Sequence, residues 1–343
     1  MNRSATLAAV LFAASLGAPA AAPQRQPPSF TTATRTVAVY ATVTNARGRL
    51  VPDLSRDDFA IDDNGKRQVL TLFSNDIQPI TVVMLLDRSS SMLANFDLEE
   101  QAAEAFVRAM GSADKARIGS FSTRIQVDPP EFTSDRDALL KILRNDLQGE
   151  GPTPLWNAVD SGIDKLLLEE GRRVVLVFTD GVDMPMNFSN HNKSLKDVMK
   201  RAEEENVMVY AIGLAGENGM PASAPRGGDR SGRGGMGPGG FGGLGGRGMG
   251  GYSSGRPQME KPDDGLPKIA AATGGGYFEL TSTSALASTF ARVADELHHQ
   301  YALGFAPEKL DGKLHDLTVH LSQPDLIARA RKRYLASKVL GSP

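Results

Sequence analysis

Residues 80–86, Ile-Thr-Val-Val-Met-Leu-Leu, are apolar at every position but one, and the run stops abruptly at Asp87-Arg88-Ser89-Ser90-Ser91-Met92. A strand this apolar has to be covered on both faces, as in a mostly parallel sheet packed between helices. Such a strand hands the residues that follow it to the carboxyl edge of the sheet, where folds of this kind hold their ligands. The arrangement recurs at residues 174–178, which run into Thr179-Asp180-Gly181. Between the two lies Gly151-Pro152-Thr153-Pro154-Leu155, at the start of a predicted helix. Three loops far apart in sequence thus offer Asp87, Ser89, Ser91, Thr153 and Asp180 to one site. These are hard oxygen donors, which suit Mg²⁺, with Mn²⁺ or Ca²⁺ as alternatives.

The middle of the chain alternates strand and helix signals. Strands are expected at residues 80–86, 117–121, 174–178, 207–213 and 276–280. Leu155, Ala158, Val159, Gly162, Ile163 and Leu166 form one helical stripe; Leu286, Phe290, Val293 and Leu297 form another, with Ser284 as its N-cap. Asp135 is placed to cap the helix of Leu139, Ile142 and Leu143. The expected fold class is α/β, a doubly wound, mostly parallel sheet.

Both flanks read as β. In residues 34–44, Val37, Val39, Ala41 and Val43 alternate with Thr36, Ala38, Tyr40 and Thr42, the period of a half-buried strand. Residues 59–62 and 69–73 read as a hairpin around Asn64-Gly65, a dipeptide suited to a type I′ turn. Residues 301–305, 317–321 and 326–334 also alternate; Arg329, Arg331 and Arg333 fall on one face, which could bind an anion but is read first as an exposed strand face or a charged edge. About three strands per flank are too few to close a core alone. The expectation is one small β-sandwich, from residues 34–78 and 301–336, with residues 79–300 inserted as the α/β domain. Residues 216–262, rich in paired glycines, read as a disordered insertion.

The Asp-x-Ser-x-Ser, Thr and Asp loops together resemble the metal-ion-dependent adhesion site (MIDAS) of von Willebrand factor type A (VWA) domains. The flank segments Val51-Pro52-Asp53-Leu54, Asp63-Asn64-Gly65-Lys66 and Tyr301-Ala302-Leu303-Gly304-Phe305 look like those of a VWA-domain family abundant in acidobacteria. The resemblance implies that Ser89, Ser91 and Thr153 contact the metal directly and that Asp87 and Asp180 act through bound water. Neutral hydroxyls leave the ion electron-poor and open to a carboxylate from a partner. The sequence departs from the family in having Ser90 where many relatives have Gly, and Glu150-Gly151-Pro152 before Thr153.

Residues 1–22 carry Arg3, an apolar run over 5–16 and small residues around Ala18-Pro19-Ala20, the pattern of a cleaved secretory leader; residues 23–33 read as a linker. Export to the periplasm or medium is expected, without a membrane span. A net charge of −2 singles out neither nucleic acid nor membrane surface as a partner, and the absence of Cys excludes disulfides and thiolate sites. No nucleophile elbow, HExxH or phosphate loop of Walker form is present. His298-His299 is expected at a helix C-terminus in a structural role, Trp156 in packing rather than ligand stacking, and Asp183 as a solvated loop acid, with a role in orienting the loop as its alternative. The leading expectation is a non-enzymatic binding or adhesion module that takes an exposed Asp or Glu of a protein or peptide through Mg²⁺. The alternatives are a metal-dependent hydrolase at the same ion and a structural envelope scaffold. The Arg-Gly-Gly segments at 226–228 and 233–235 are outweighed, as a nucleic-acid signal, by export and mild acidity.

Overall fold

The alternating N-terminal segment folds as β1 (Val37–Asn45), but it is buried on both faces rather than one. Val39, Ala41 and Val43 enter one hydrophobic cluster, whereas Ala38 and Tyr40 enter another. The computed structural model describes residues 36–147, 149–185, 192–215 and 262–338. The expected leader, the linker and, apart from Pro262, the Gly-rich stretch lie outside these residues.

After β1 come β2 (Phe59–Asp63), β3 (Lys66–Gln68) and β4 (Leu70–Ser74). Asn64 and Gly65 have φ of 49° and 76°, the two positive angles that a type I′ turn requires. The return strand differs from the expected 69–73. Only β3 pairs with β2, and the chain then changes sheet, so that β4 pairs with β11 (Tyr301–Phe305). Val69, 81% exposed, marks the crossing.

The α/β half runs β5 (Ile80–Asp87), α1 (Phe96–Ala109), β6 (Lys115–Phe121), β7 (Ile125–Thr133), α2 (Arg136–Asn145), α3 (Leu155–Leu166), β8 (Arg172–Thr179), α4 (Leu195–Glu204), β9 (Val207–Leu214), α5 (Gly265–Thr273), β10 (Tyr277–Leu280) and α6 (Leu286–His298). Among the described residues the strands form a six-stranded sheet in the order β10-β9-β8-β5-β6-β7, parallel except for β7. β7 holds Pro129 and Pro130, which lack a ladder N–H and are tolerated at a sheet edge. Ile80, Val82, Met84 and Leu86 of β5 meet α1, α2 and α6, while Val83 and Leu85 meet α3, α4 and α5. This two-sided cover is why the strand is apolar throughout. Asp135 caps α2, accepting from Asp137 N at 3.0 Å and Ala138 N at 3.1 Å. Ser284 does not cap α6: a short 3₁₀ turn, Thr283–Ala285, precedes the helix, and the Ser282 hydroxyl caps that turn instead.

The C-terminal flank adds, after β11, β12 (Leu314–Leu321), β13 (Leu326–Ala330) and β14 (Arg333–Leu335). Two four-stranded sheets result, β13-β1-β11-β4 and β14-β12-β2-β3, each mixing strands of both flanks. They pack face to face, with Phe59 against Tyr301 at 4.7 Å and Phe305 against Tyr334 at 5.7 Å between ring centroids. The fold is therefore a doubly wound α/β sheet with a small antiparallel sandwich made by the two ends of the described chain.

The arginine row on β13 and β14 is not an exposed face. Arg329 pairs with Glu296 of α6 and donates to Tyr210 Oη at 3.1 Å; Arg331 donates to Ala38 O; Arg333 grips Glu203 of α4 through contacts of 3.0 and 2.6 Å. The row looks onto the α/β half because that half covers the outer side of the first antiparallel sheet. His298, at the end of α6, binds Asp114 Oδ2 at 2.6 Å, which ties the helix end to the start of β6.

Candidate metal centre

β5 is flanked by β8 on one side and β6 on the other, so the chain reverses its direction of sheet growth between β5 and β8. Loops leaving the carboxyl ends of two strands at such a switch point diverge and open a crevice. Asp87 is the last residue of β5, and Thr179 is the last of β8. Asp87 is 0% exposed; its Oδ1 accepts Ser89 N at 2.9 Å and its Oδ2 accepts the Thr179 hydroxyl. Burial pushes the Asp87 carboxyl up to about 6, the Thr179 and Ser89 hydrogen bonds oppose the rise, and the nearby Asp180 adds to it. Ser89 Oγ lies 3.1 Å from Ser91 Oγ, and the Ser91 hydroxyl donates to Asp180 Oδ1 at 2.8 Å. Four of the five expected residues thus form one hydrogen-bonded chain.

Thr153, the fifth, is placed by its backbone: its carbonyl accepts Leu155 N and Met184 N, both at 2.8 Å. This bridge lays the second loop along the third. A methyl group built on Gly181 would stand 3.5 Å from both Thr153 Oγ1 and Thr153 Cγ2, so the side chain of Thr153 lies beside the Asp180-Gly181 corner. The departures from the family pattern have local roles. Ser90 Oγ accepts Gly151 N at 3.1 Å, and Ser90 N donates to Gly151 O at 3.1 Å, clasping the first loop to the second. Glu150 takes φ 71° and Gly151 takes φ 132°, so the tight turn before Thr153 is made by one non-glycine residue and one glycine. A Cβ on Gly151 would meet Thr123 Oγ1 at 2.2 Å, so no other residue fits there.

The donor set can be tested against an ion. Neighbouring oxygens in an octahedron with Mg–O bonds of about 2.1 Å lie about 3.0 Å apart; for Ca²⁺ at about 2.4 Å the edge is about 3.4 Å. The 3.1 Å between Ser89 Oγ and Ser91 Oγ is compatible with such an edge, whereas the 2.8 Å between Ser91 and Asp180 is a direct hydrogen bond and not an edge between two ligands. Ser89, Thr153 and Asp180 are 1%, 5% and 4% exposed, whereas Ser91 lies open to solvent, so the cluster faces outward on the Ser91 side. Beside it, Ser90, Thr123, Arg124 and Glu150 line an open cleft of about 540 Å³.

Three contributors escaped the sequence reading. Thr179 was quoted in its motif without a role, yet its hydroxyl holds the inner carboxylate. Glu99 lies fully buried under the site, with Arg88 at 3.4 Å and the Arg88 guanidinium 3.6 Å over the Phe96 ring. Burial raises the Glu99 carboxyl well above its ordinary value, against the pull of Arg88. Its signal was available: Glu99 falls on the same stripe of α1 as Ala102, Ala103, Phe106 and Val107. Asp183 is not a solvated loop acid. It is half-buried, and its Oδ1 accepts Trp156 N at 3.3 Å in the first turn of α3, while its own N–H donates to Asp263. Burial raises its carboxyl as well. Trp156 is packed, as expected.

Residues 81–223 match the von Willebrand factor type A domain family. The chain carries a VWA domain. No curated protein matches the chain. Among solved structures it is similar to an aerotolerance-related membrane protein from Bacteroides fragilis at 19% identity, covering 64% of this chain and 98% of that one, with a TM-score of 0.43. It is similar to proximal thread matrix protein 1 from the mussel byssus, in a structure with a zinc-occupied MIDAS motif, at 16% identity and a TM-score of 0.44, covering 67% of this chain and 48% of that one. It is also similar to a von Willebrand factor type A protein from Catenulispora acidiphila at 11% identity, covering 82% of this chain and 63% of that one, with a TM-score of 0.45. Among the described residues, no helix is long and apolar enough to cross a membrane.

Proposed function

We propose that the VWA domain is a non-enzymatic interaction module, which binds a protein or peptide through a divalent cation, Mg²⁺ by preference, held by Ser89, Ser91 and Thr153 with Asp87 and Asp180 behind them. The observation that carries this reading is the Asp87–Ser89–Ser91–Asp180 chain at the switch point, in which the two serine hydroxyls stand 3.1 Å apart, a separation compatible with an octahedral edge. When bound, the ion supplies a Lewis-acidic position for an acidic side chain of the partner. The chain's own residues do the rest. Thr179 fixes one Asp87 oxygen, Ser90 clasps the first two loops, and exposed Ser91 stands where a partner approaches. The surroundings support a macromolecular partner: of the eight large apolar side chains exposed among the described residues, Leu93, Leu98, Val182 and Met184 lie on the first and third metal loops or just beyond them.

The sandwich, in this reading, is a second unit into which the VWA domain is inserted, and residues 1–22 direct export. Calorimetry with MgCl₂ tests the proposal. Wild type takes up one ion, and Asp87→Ala and Ser91→Ala lose at least tenfold in affinity while keeping wild-type circular dichroism. A protein that binds no divalent ion, or an Asp87→Ala variant that binds unchanged, would falsify the reading. A pull-down that EDTA abolishes and Mg²⁺ restores checks the partner arm.

A further inference from the structure

At the opposite end of the central sheet a small cavity of about 20 Å³ lies between the start of β8 and the sandwich, lined among others by Tyr40, Arg172, Arg173, Asn206 and Arg331. Three guanidinium groups meet there. Among the described residues, none of the three has a carboxylate within ion-pair distance, in contrast to Arg329 and Arg333 on the same flank. Their terminal nitrogens are anchored on backbone carbonyls. Arg172 donates to Gln78 O at 3.2 Å and Leu297 O at 2.6 Å, Arg173 to Glu205 O, and Arg331 to Ala38 O. Arg172 is 4% exposed and stacks 4.9 Å from the Tyr40 ring centroid. Arg172 and Arg331 each keep a buried Nε–H with no acceptor.

Carbonyls and ring faces satisfy donors but cancel no full charge, Asp114 and Glu205 offset Arg172 and Arg173 only from beyond ion-pair distance, and a buried charge without a close counter-charge is costly. Burial brings the Arg331 guanidinium down to about 10, with Arg173 pushing in the same direction, so it remains a cation at neutral pH. We infer that this cavity is a binding site for one monatomic anion of the size of chloride, held by Arg172, Arg173 and Arg331. The size decides against larger anions: a water-sized sphere needs about 10–15 Å³, so the space takes one such particle and excludes a tetrahedral phosphate or a carboxylic acid. The placement gives the site a purpose. Arg172 and Arg173 belong to β8 and Arg331 follows β13, so the anion joins the α/β half to the sandwich.

The test is melting of the full chain in sodium chloride, bromide and gluconate at matched ionic strength, with the anomalous signal of bromide in crystals. A site of this kind raises Tm by about 3 °C, saturably, in chloride and bromide over gluconate. Arg331→Gln and, independently, Arg173→Gln flatten the response, and a bromide peak appears in the cavity. Equal melting in the three salts, or ordered water in the cavity of bromide-soaked crystals, overturns the inference. If either variant fails to fold, the wild-type bromide map decides.

Discussion

At the carboxyl end of the central sheet, Asp87, Asp180 and Glu99 are buried, and the only counter-charge paired with Glu99 among the described residues is Arg88. At the amino end, buried Arg172 lies beside half-buried Arg173 and Arg331, and none of the three has a carboxylate within ion-pair distance among the described residues; Asp114 and Glu205 act on Arg172 and Arg173 only from farther off. The two ends satisfy their charges with different chemistry. Asp87 and Asp180 accept from Thr179 and Ser91 hydroxyls, rotors that can turn a proton away and present a lone pair to a cation. The guanidinium groups are held by backbone carbonyls and aromatic faces, which stay put once the elements are packed. In the readings proposed above, the first end takes a ligand that comes and goes and the second a resident.

The largest expected effect probes the counter-charge at the carboxyl end. Arg88→Met leaves Glu99 buried and alone and costs about 3 kcal/mol in urea unfolding near neutral pH; adding Glu99→Gln restores most of it. Full stability in the single variant would show that hydroxyls alone carry that end. The amino end is sharpened by a pair of substitutions. Arg329→Met abandons buried Glu296, leaving it only Arg292 at 3.4 Å, and costs about 2 kcal/mol. Arg331→Met, which abandons no acid, costs under about 1 kcal/mol in gluconate. Equal costs would erase the distinction between the two arginines.

Third is pH. A carboxyl whose folded value lies above its unfolded one contributes stability that is complete below the unfolded value and is lost as pH rises through the folded value. For Asp87 that window runs from 3.8 to about 6, and Glu99 is shifted the same way. In EDTA, stability therefore rises by about 1–1.5 kcal/mol between roughly pH 7.5 and pH 5 from Asp87 alone. In saturating Mg²⁺, which favours the carboxylate, the slope flattens. Parallel slopes with and without metal would detach Asp87 from the ion. The smallest effect is a yardstick far from both ends. Asp135→Ala removes the α2 cap, costs about 1 kcal/mol by chemical unfolding, and leaves metal and halide responses unchanged.

What could be read from the sequence was what repeats or sits beside a landmark. β5 and β8 were legible because two-sided burial leaves no polar period; the five candidate residues stood out because each lies where an apolar run stops or a helix starts, and the structure joins four of them in one hydrogen-bonded chain. The N-cap of α2 was legible because Asp135 bonds its own neighbours. What could not be read depended on distant partners. Arg329, Arg331 and Arg333 alternate like an exposed face, and only Glu296, Ala38 and Glu203, far along the chain, turn them inward. The crossing at Val69 defeats a local hairpin rule because β4 answers to β11, not to β2. β7 was absent from the expected strands, and its Pro129-Pro130 is accommodated because β6 pairs with it at the sheet edge. Thr179 was hidden by the Asp beside it, and Asp183 by a position that looks like open loop.

β1 has β11 on one side and β13 on the other, and both come from the far end of the chain. Tyr301 Oη accepts Leu54 N and donates to Val51 O, across 247 and 250 residues of separation. During synthesis β1 therefore waits, unzipped along both margins, until residues 301–330 have been made. Contacts this remote form slowly, and an open strand margin invites foreign pairing. A chain cut short after α6 would carry an intact cation pocket and a sticky amino terminus. Early stop codons should therefore yield aggregates more readily than inactive soluble protein.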